Sequence, residues 1–353
     1  MNIPQKRVVV VRPGDGTIRA VEMDMPEMIK GTVMVKVEAS LVSPGTELGG
    51  WHSFANQKKN PAPKKEHPFG YSNSGYVIKA AEGASEFKPG DRVACIGMGY
   101  ALHTDYAVIP HNLCVPLPDN VSFEQGAYAT LFATAMHTLR RGEPEFGEYV
   151  CVVGVGIVGL LTARLYQLAG NYVIGWDKNP ARVAFAKRWC IDSIVEDESG
   201  PEATKKFTRN DGLDAAVLAM SGPCDDTVDR LVQCMKHAPD GHGMGRIMVV
   251  GWPEFKYGSK SQIGEMNNID IRRCSRTGPG YHDRQWEFGA DYPPVFMRWT
   301  TKTNLALCMR LISEGKIDID SLTTHRIKLA DVEKEINKAL ENPDGMLGVI
   351  FKP

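Results

Sequence analysis

The sequence lacks the cysteine patterns that would give it a disulfide framework or a zinc lobe. Its eight cysteines are scattered over 353 residues, and no two of them form a C-x-x-C pair. Closely spaced cysteines are typical of structural zinc sites and of redox-active motifs, so both are excluded. Several of the cysteines lie inside apolar runs, and we expect them to be buried, reduced thiols of a cytoplasmic protein.

An excess of charge of one sign is also missing. Lysine and arginine total 41 and aspartate and glutamate 42, which leaves a net charge of -1. This balance argues against nucleic acid or an acidic membrane surface as a partner. No apolar run approaches the roughly 18 residues of a membrane-spanning helix, and the run VVVV near the start is too short for a signal peptide. We expect a cytoplasmic protein with a small-molecule ligand.

The first third of the chain is predicted to be β structure. Short runs rich in valine and isoleucine, separated by Gly/Pro turns, indicate strands at Thr32–Val37, Gly75–Lys79, Arg92–Ile96 and Asp105–Ile109. Ser122 and Gln125 then form a capping-box pattern ahead of a helical periodicity over Phe123–Arg141. From Tyr149 strands alternate with helices, which indicates a parallel sheet with crossover helices.

A glycine-rich turn follows the predicted buried strand Tyr149–Val153 and opens an apolar helix. It reads Gly154-Val155-Gly156-Ile157-Val158-Gly159, which is the dinucleotide-binding fingerprint in the strand–turn–helix context that this motif requires. The glycines would allow a tight turn, a close approach of the pyrophosphate, and close packing of helix on strand. The start of the helix, at Ile157 and Val158, would face the phosphates.

An acidic residue completes this pattern. Asp177 lies 23 residues after Gly154 at the end of the next predicted strand. A carboxylate there would accept hydrogen bonds from the ribose hydroxyls and repel a 2′-phosphate, which favours NAD over NADP. Lys178 and Arg182 are close by and would weaken that preference. The alternative is a glycine-rich turn of some other α/β protein with a surface aspartate.

Beyond this motif, stretches along nearly the whole chain resemble the zinc-type alcohol dehydrogenase superfamily, also called medium-chain dehydrogenases/reductases. Besides the fingerprint they are Gly70–Val77, Phe87–Val93, Asp105–Pro110, Leu311–Ile317 and Leu322–Arg326. The resemblance implies an α/β protein with two domains. A GroES-like β-barrel catalytic domain would comprise residues 1–131 and 278–353, and a Rossmann doubly wound parallel-sheet domain residues 132–277. It also implies an active site in the cleft between them and a homodimer or homotetramer.

The zinc ligands of that superfamily do not carry over to this sequence. At the positions where the resemblance puts them stand hydroxyl-bearing residues, Ser43, Tyr71, Ser72 and Thr130. Zinc prefers thiolate, imidazole or carboxylate ligands, so we expect no metal. His67 and His103 remain nearby in the sequence and leave a rearranged metal site open.

Without zinc, side chains must move the substrate proton. The candidates for this acid–base role are Tyr71, Glu47, Thr46, His282 and Asp283. The residues expected to contact the substrate are Ser43, Trp51, Tyr281 and Trp299, and Thr134 is expected near the nicotinamide. Structural alternatives stay open: Tyr71 as packing in the vacated metal site, Glu47 as a salt-bridge partner, His103 on a solvated turn, His282 on a surface loop, and Trp299 in the core.

A narrower resemblance concerns the loops Ser43–Glu47 and Gly278–Asp283. They are similar to loops of bacteriochlorophyllide dehydrogenases and of bi-domain oxidoreductases from polysaccharide gene clusters. We therefore expect an NAD(H)-dependent enzyme that interconverts an alcohol and a ketone without zinc, on a sugar, cyclitol or other polyhydroxylated substrate. A zinc-independent enoyl or quinone reductase and a non-catalytic NAD-binding protein are the alternatives.

Overall fold

The computed structural model describes residues 4–62, 66–189, 191–197, 199–258 and 267–353. Within these residues no helix is long and apolar enough to cross a membrane. The seven cysteines that the structure describes are free and buried, as predicted. Cys190 lies outside the described residues.

The chain divides into two compact units. Unit 1 comprises Met1–Ala133 and Thr277–Pro353, and unit 2 comprises Thr134–Arg276. The first unit is built mainly from antiparallel strands and the second from parallel strands with helices. These are a GroES-like domain and a Rossmann domain.

The strands of the described residues were in part predicted by their valine and isoleucine runs. In chain order they are β1 Lys6–Arg12, β2 Arg19–Asp24, β3 Thr32–Val42, β4 His67–Pro68, β5 Ser72–Ala80, β6 Arg92–Ile96, β7 Tyr106–Pro110 and β8 Cys114–Pro116. Unit 2 follows with β9 Tyr149–Val153, β10 Tyr172–Asp177, β11 Asp192–Val195, β12 Ala215–Leu218, β13 Ser221–Pro223, β14 Lys236–His237, β15 Gly243–Val249, β16 Trp252–Glu254 and β17 Asn268–Arg273. The chain ends with β18 Thr323–Lys328 and β19 Gly348–Lys352.

The helices of the described residues connect these strands. They are α1 Pro44–Leu48, α2 Trp51–Gln57, α3 Phe123–Gly126, α4 Ala129–Gly142, α5 Ile157–Leu168, α6 Pro180–Arg188, α7 Gly200–Phe207, α8 Asp225–Gln233, α9 Arg284–Glu287, α10 Thr301–Ser313 and α11 Val332–Ala339. Short 3-10 helices lie at His111–Leu113, Asp320–Leu322, Leu329–Asp331 and Pro343–Gly345.

Strand β3 organises unit 1. It pairs antiparallel with β5, β7 and β19, and the wider sheet has the order β18-β19-β3-β5-β6-β8. Its sequence TVMVKVEASLV is almost continuously buried, which is expected of a strand covered on both faces. A smaller sheet, β2-β1-β4, lies beside it and is joined by an isolated bridge between Val9 and Thr104. Because β3 ends at Val42, the position of Ser43 and of α1 is fixed by the end of this strand.

Strand β9 organises unit 2. It lies between β10 and β12 and runs parallel to both, in a sheet of order β11-β10-β9-β12-β15-β14 with β17 added on β15. The chain fills one side of β9 with β10 and β11, and then the other side with β12 and β15. The carboxyl end of β9 is therefore the point where the strand order reverses, which is where open parallel sheets bind ligands. The core of unit 2 is built from apolar residues of these strands and of α8.

The continuous helix predicted over Phe123–Arg141 is wrong, although its predicted capping box is confirmed. Ser122 accepts the amide of Gln125, and the Gln125 side chain accepts the amide of Ser122. The helix breaks between α3 and α4 because a side chain from β5 enters the hydrogen-bonding ladder. The Ser72 hydroxyl donates to Ala127 O (2.7 Å) and accepts from Thr130 N (3.2 Å).

Candidate functional site

The glycine turn of unit 2 has the geometry that a bound pyrophosphate needs. Gly154 has a φ of 89°, a region that side chains rarely tolerate, and its amide donates to Trp176 O at 2.7 Å. A Cβ on Gly159 would overlap Gly154 O, so this glycine is what lets α5 pack against β9. A Cβ on Gly156 would have no atom within 4 Å. The space beside Gly156 is thus open, next to the first turn of α5.

Asp177 lies at the end of β10, directly beside this turn. Its carboxylate is 6% exposed and accepts hydrogen bonds from Val155 N (2.9 Å) and Asn179 N (2.8 Å). The nearest guanidinium nitrogen is that of Arg182, 3.9 Å from the carboxylate. A negative charge is therefore held by two backbone amides at the edge of the glycine turn.

The other predicted cofactor residues surround this turn with different exposures. Ile157 and Val158 form the first turn of α5, Ile157 buried and Val158 partly exposed. Lys178 is exposed, and Arg182 is partly exposed. Thr134, on α4, is partly buried, and its carbonyl accepts a hydrogen bond from the Thr138 hydroxyl at 2.9 Å. These positions lie in unit 2.

A second group of polar residues lies in unit 1 around the short helix α1. Ser43 is its N-cap residue, and Glu47 near its end is buried with 7% of its surface exposed. The Glu47 carboxylate turns back and accepts the amide of Ser43 at 2.6 Å. The Glu47 carbonyl in turn accepts a hydrogen bond from the Arg12 guanidinium. These contacts fix a carboxylate in an apolar surrounding.

Tyr71 brings its phenol to the same place. Its side chain is 7% exposed and lies near the side chains of Ser43, Thr46 and Glu47. Burial is the main cause that raises the pKa of Tyr71 above its ordinary value, and the charge of Glu47 adds to this. The phenol is therefore protonated at neutral pH. The structure brings Ser43, Thr46, Glu47 and Tyr71 together as one cluster, which we call the Tyr71 cluster.

His103 belongs to the surroundings of this cluster, and its prediction on a solvated turn is wrong. The ring is fully buried, edge-on to Phe69 and Phe351. Its Nδ1 lies 2.9 Å from Ser40 Oγ, and its Nε2 lies 3.4 Å from Glu47 Oε2. The other carboxylate oxygen, Glu47 Oε1, is buried and has no hydrogen-bond partner in the described part of the chain. The sequence gives only one hint of this pair, because His103 lies two residues before the predicted strand Asp105–Ile109.

Ser72 and Thr130, the two remaining positions of the expected zinc ligand set, form hydrogen bonds between the start of β5 and the helices α3 and α4. The Ser72 hydroxyl contacts the backbone of Ala127 and Thr130, as described above, and the Thr130 hydroxyl donates to Tyr71 O at 2.8 Å. Both side chains are buried. Their hydroxyl groups therefore hold backbone groups together.

In the loop from Tyr281 to Asp283 the rings of Tyr281 and His282 contact each other, with centroids 4.1 Å apart, whereas Asp283 is bonded elsewhere. Tyr281 is buried, and its hydroxyl accepts from Met98 N at 3.0 Å, whereas His282 is exposed. Asp283 caps α9 through the amides of Gln285 and Trp286 and also accepts from the Tyr292 hydroxyl at 2.6 Å. The carboxylate of Asp283 thus has a structural use. Tyr281 is close enough to Tyr71 for the two to interact electrostatically.

The two tryptophans predicted to contact the substrate differ in burial. Trp51 is 3% exposed and packs in the core of unit 1 with Leu48 and Phe54, so its surroundings are those of a packing residue. Trp299 is 37% exposed and lies under the Arg298 guanidinium, 4.5 Å from its ring centroid. The alternative of Trp299 as a core residue is wrong, because the neighbouring loop residues are exposed as well.

Comparisons with known proteins agree with this architecture. Residues 29–119 match the family model of the alcohol dehydrogenase GroES-like domain. An uncharacterized zinc-type alcohol dehydrogenase-like protein of Escherichia coli strain K12 is 24% identical over 96% of each chain. Sorbitol dehydrogenase of Ovis aries is 28% identical over 69% of this chain and 74% of its own length. The alcohol dehydrogenase of Thermus sp. ATN1 has the same fold, with a TM-score of 0.76, 18% identity, and coverage of 98% of this chain and 99% of its own.

The GroES-like match covers the strands that carry the Tyr71 cluster, and the fingerprint turn of unit 2 lies beyond it. Dehydrogenases of this kind generally use a nicotinamide cofactor, which fits that turn. The chain belongs to the medium-chain dehydrogenase/reductase superfamily and is an oxidoreductase of the alcohol dehydrogenase type.

Proposed function

We propose that the protein is an NAD(H)-dependent enzyme that interconverts an alcohol and a ketone without a catalytic zinc. We further propose that its substrate is a sugar, cyclitol or other polyhydroxylated compound. The observation that carries this proposal is the Tyr71 cluster, in which a buried phenol, two hydroxyl groups and a buried carboxylate lie where relatives are expected to hold a metal.

The residues at those positions do not suit zinc. A catalytic zinc takes about three protein ligands with thiolate, imidazole or carboxylate groups. The hydroxyls of Ser72 and Thr130 are already bonded to backbone groups, and the raised pKa of Tyr71 disfavours the phenolate that would be needed for binding. Among the described residues no three His, Cys, Asp or Glu side chains cluster as a metal site would. His67 is exposed, which argues against a site rearranged around it and His103.

The cluster can instead handle the substrate proton. Because the phenol of Tyr71 stays protonated, it can donate a hydrogen bond, and finally a proton, to the oxygen of a ketone during reduction. In the direction of oxidation the same route runs in reverse: Tyr71 takes the alcohol proton as its own phenol proton passes to Glu47, whose buried Oε1 has no hydrogen-bond partner among the described residues. In reduction Glu47 returns that proton to Tyr71. The hydroxyl groups of Ser43 and Thr46 lie near the phenol and can orient it. His103 is proposed as a positioning residue for Glu47.

The glycine turn of unit 2 suits NAD(H). The open space at Gly156 and the start of α5 would hold the pyrophosphate, and Asp177 would face the ribose. When bound, the nicotinamide supplies the hydride donor or acceptor of the reaction. The charge of Asp177 supports NAD rather than NADP, because a 2′-phosphate would lie close to its carboxylate. Among the described residues, no lysine or arginine nitrogen lies closer than 3.9 Å to that carboxylate, so its charge is not neutralised by a close ion pair.

The class of substrate is supported by polarity and by the relatives. The Tyr71 cluster offers several hydrogen-bonding groups, which suit a polyhydroxylated compound better than an apolar quinone. Curated relatives include sorbitol dehydrogenase and a D-xylulose reductase of Aspergillus niger. We also propose a homodimer or homotetramer, which light scattering would test.

A turnover screen tests the proposal. The protein is assayed with sugar alcohols, cyclitols and their ketones, and separately with enones and quinones, each with NAD(H) and NADP(H). We expect turnover of polyols or their ketones with NAD(H). Turnover of enones or quinones alone would instead assign the chain to alkene or quinone reductases. NADH binding, followed by its fluorescence, without turnover of any compound would make it a non-catalytic NAD-binding protein.

A further inference from the structure

A cavity lies in unit 1 beside Arg12. Its volume is about 350 Å³, within the range of small-molecule sites. Its lining comes from the end of β1, the segment after α2, and β4: Arg12, Gly14, Gln57, Asn60, Ala62, His67, Pro68 and Phe69. Among the described residues no carboxylate is part of this lining. We call it the Arg12 pocket.

Two basic side chains of the pocket lining, Arg12 and His67, lie on neighbouring strands. Arg12 and His67 are direct partners in the antiparallel pairing of β1 and β4, so their side chains lie on the same face. Arg12 donates to the carbonyl of Glu47, and no carboxylate of the described residues lies within ion-pair distance of its guanidinium.

The nearest acidic side chains in sequence are occupied elsewhere. Asp15 accepts hydrogen bonds from Thr17, and both Asp15 and Glu66 contact Arg19, Glu66 at 3.1 Å. The pocket therefore presents the Arg12 guanidinium, with no carboxylate of the described residues within ion-pair distance, beside the His67 imidazole. The amides of Gln57 and Asn60 add hydrogen-bond donors, and Phe69 adds an apolar wall.

We propose that the Arg12 pocket binds the acidic group, a phosphate or carboxylate, of a small polar molecule. A guanidinium offers parallel N–H donors that match two oxygens of such a group. Neutral donors from the two amides complete the coordination, since a phosphate presents several acceptor oxygens.

The pocket is in direct contact with the groups that surround the Tyr71 cluster. Arg12 holds the carbonyl of Glu47, and the Phe69 ring packs edge-on against His103 with ring centroids 4.9 Å apart. Two sources of the anion fit: an acidic group on the substrate itself, or a separate anion that regulates the reaction. This connection to catalysis rests on the proposed function, whereas anion binding does not.

Binding of inorganic phosphate tests the pocket directly. Isothermal titration is done with the intact protein saturated with NADH, so that the cofactor occupies the glycine turn. Asn60→Asp places a carboxylate in the pocket at an exposed position that the fold tolerates, and Arg12→Gln removes the guanidinium. We expect each to weaken phosphate binding by roughly 10-fold or more: Arg12→Gln because one charge-assisted contact is lost, and Asn60→Asp because the new carboxylate repels the anion. His67→Gln is expected to weaken it by a smaller factor.

Arg19→Gln is the matched control, because it removes a guanidinium from the same small sheet that already has acidic partners. Its phosphate affinity should equal that of the wild type. If Arg19→Gln weakens binding as much as Arg12→Gln, or if Asn60→Asp leaves binding unchanged, the site is wrong. Absence of phosphate binding to the wild type would overturn it as well.

Kinetics then distinguish the two sources. If the acidic group belongs to the substrate, Asn60→Asp raises the KM for a phosphorylated polyol but not for the neutral parent polyol, and free phosphate competes with the former. If the anion is separate, phosphate changes turnover of the neutral polyol and Asn60→Asp abolishes that change. Phosphate binding without either effect would refute the connection to catalysis, and absence of any polyol turnover would refute the proposed function while leaving the binding result intact.

Discussion

Tyr71 is the side chain on which the proposed chemistry depends most. Its hydroxyl is buried with Ser43, Thr46 and Glu47, and its pKa is raised. Two roles are open to this phenol: proton donation, which we propose, and packing in the place of a metal.

Tyr71→Phe should lower kcat by roughly 100-fold, because a positioned proton donor contributes at least that much. NADH affinity should not change, since Tyr71 lies outside unit 2. Steady-state kinetics and a fluorescence titration give the two values. Tyr128→Phe is the control: it removes another buried hydroxyl of unit 1, one that bonds only with Thr323 at 2.9 Å in the described structure. Equal kcat for Tyr71→Phe and the wild type would make Tyr71 a packing residue.

Asp177 should determine which nicotinamide cofactor is used. We expect the wild type to bind NADH more tightly than NADPH, and Asp177→Asn to narrow the difference by removing the charge while keeping an oxygen for one of the two amides, of Val155 and Asn179, that the carboxylate accepts from. Dissociation constants of both cofactors for both proteins are the measurement. Tighter binding of NADPH by the wild type would contradict the proposal.

The sequence alone could predict some of these side chains and not others. Gly154, Gly156 and Asp177 belong to a local motif whose strand, turn and helix are continuous in the chain, so their neighbours could be inferred. His103 meets Glu47 across 56 residues, and only the pairing of strands brings them together. The same holds for Arg12, whose contact with the Glu47 carbonyl spans 35 residues.

The turn between β9 and α5 is the best-determined element of the proposed cofactor site. Gly156→Val should abolish NADH binding while the fold survives, because its backbone angles are ordinary and its Cβ would meet no atom of the protein. Gly159→Val should instead destabilise the fold, because its Cβ would overlap Gly154 O. Thermal unfolding and NADH titration of both variants test this. Retained NADH affinity in a folded Gly156→Val protein would show that the phosphates bind elsewhere.

Helix α4 contains a histidine, His137, that should make the free energy of unfolding depend on pH. Burial, together with Arg141 and Arg140, lowers the pKa of His137 from 6.5 to about 4. Between these values the unfolded chain binds a proton that the folded chain does not, so the free energy of unfolding should fall as pH falls from 6.5 towards 4. One proton corresponds to at most about 1.4 kcal/mol per pH unit.

Urea unfolding of the wild type and His137→Gln at several pH values in this interval would measure the effect. The variant should lose that part of the pH dependence. An identical slope for the two proteins would mean that His137 is protonated in the folded state.

The boundaries of helices and strands show where local patterns suffice. Strands Arg92–Ile96 and Tyr149–Val153 have the predicted limits, because alternating or continuous apolar runs end at turn residues. The single helix predicted after Ser122 is two helices, because Ser72 from a distant strand takes the backbone groups of Ala127 and Thr130. A periodicity in the sequence contains no signal for such a contact.

The chain as a whole combines an antiparallel GroES-like unit with a parallel Rossmann unit. The resemblance to medium-chain dehydrogenases predicted this architecture, and the relatives and the fold agree with the prediction. We propose that the chain differs from zinc-dependent relatives at Ser43, Tyr71, Ser72 and Thr130, whose hydroxyl groups are weak zinc ligands. Two of them, Ser72 and Thr130, form hydrogen bonds with backbone groups instead.

The most direct test of zinc-independent catalysis is the turnover of a polyol with NAD by protein that has been treated with a chelator, dialysed, and analysed for metal. We expect less than stoichiometric zinc and undiminished kcat, because the Tyr71 cluster supplies the proton donor and acceptor. One zinc per chain, with kcat lost on its removal and restored on its return, would contradict the account.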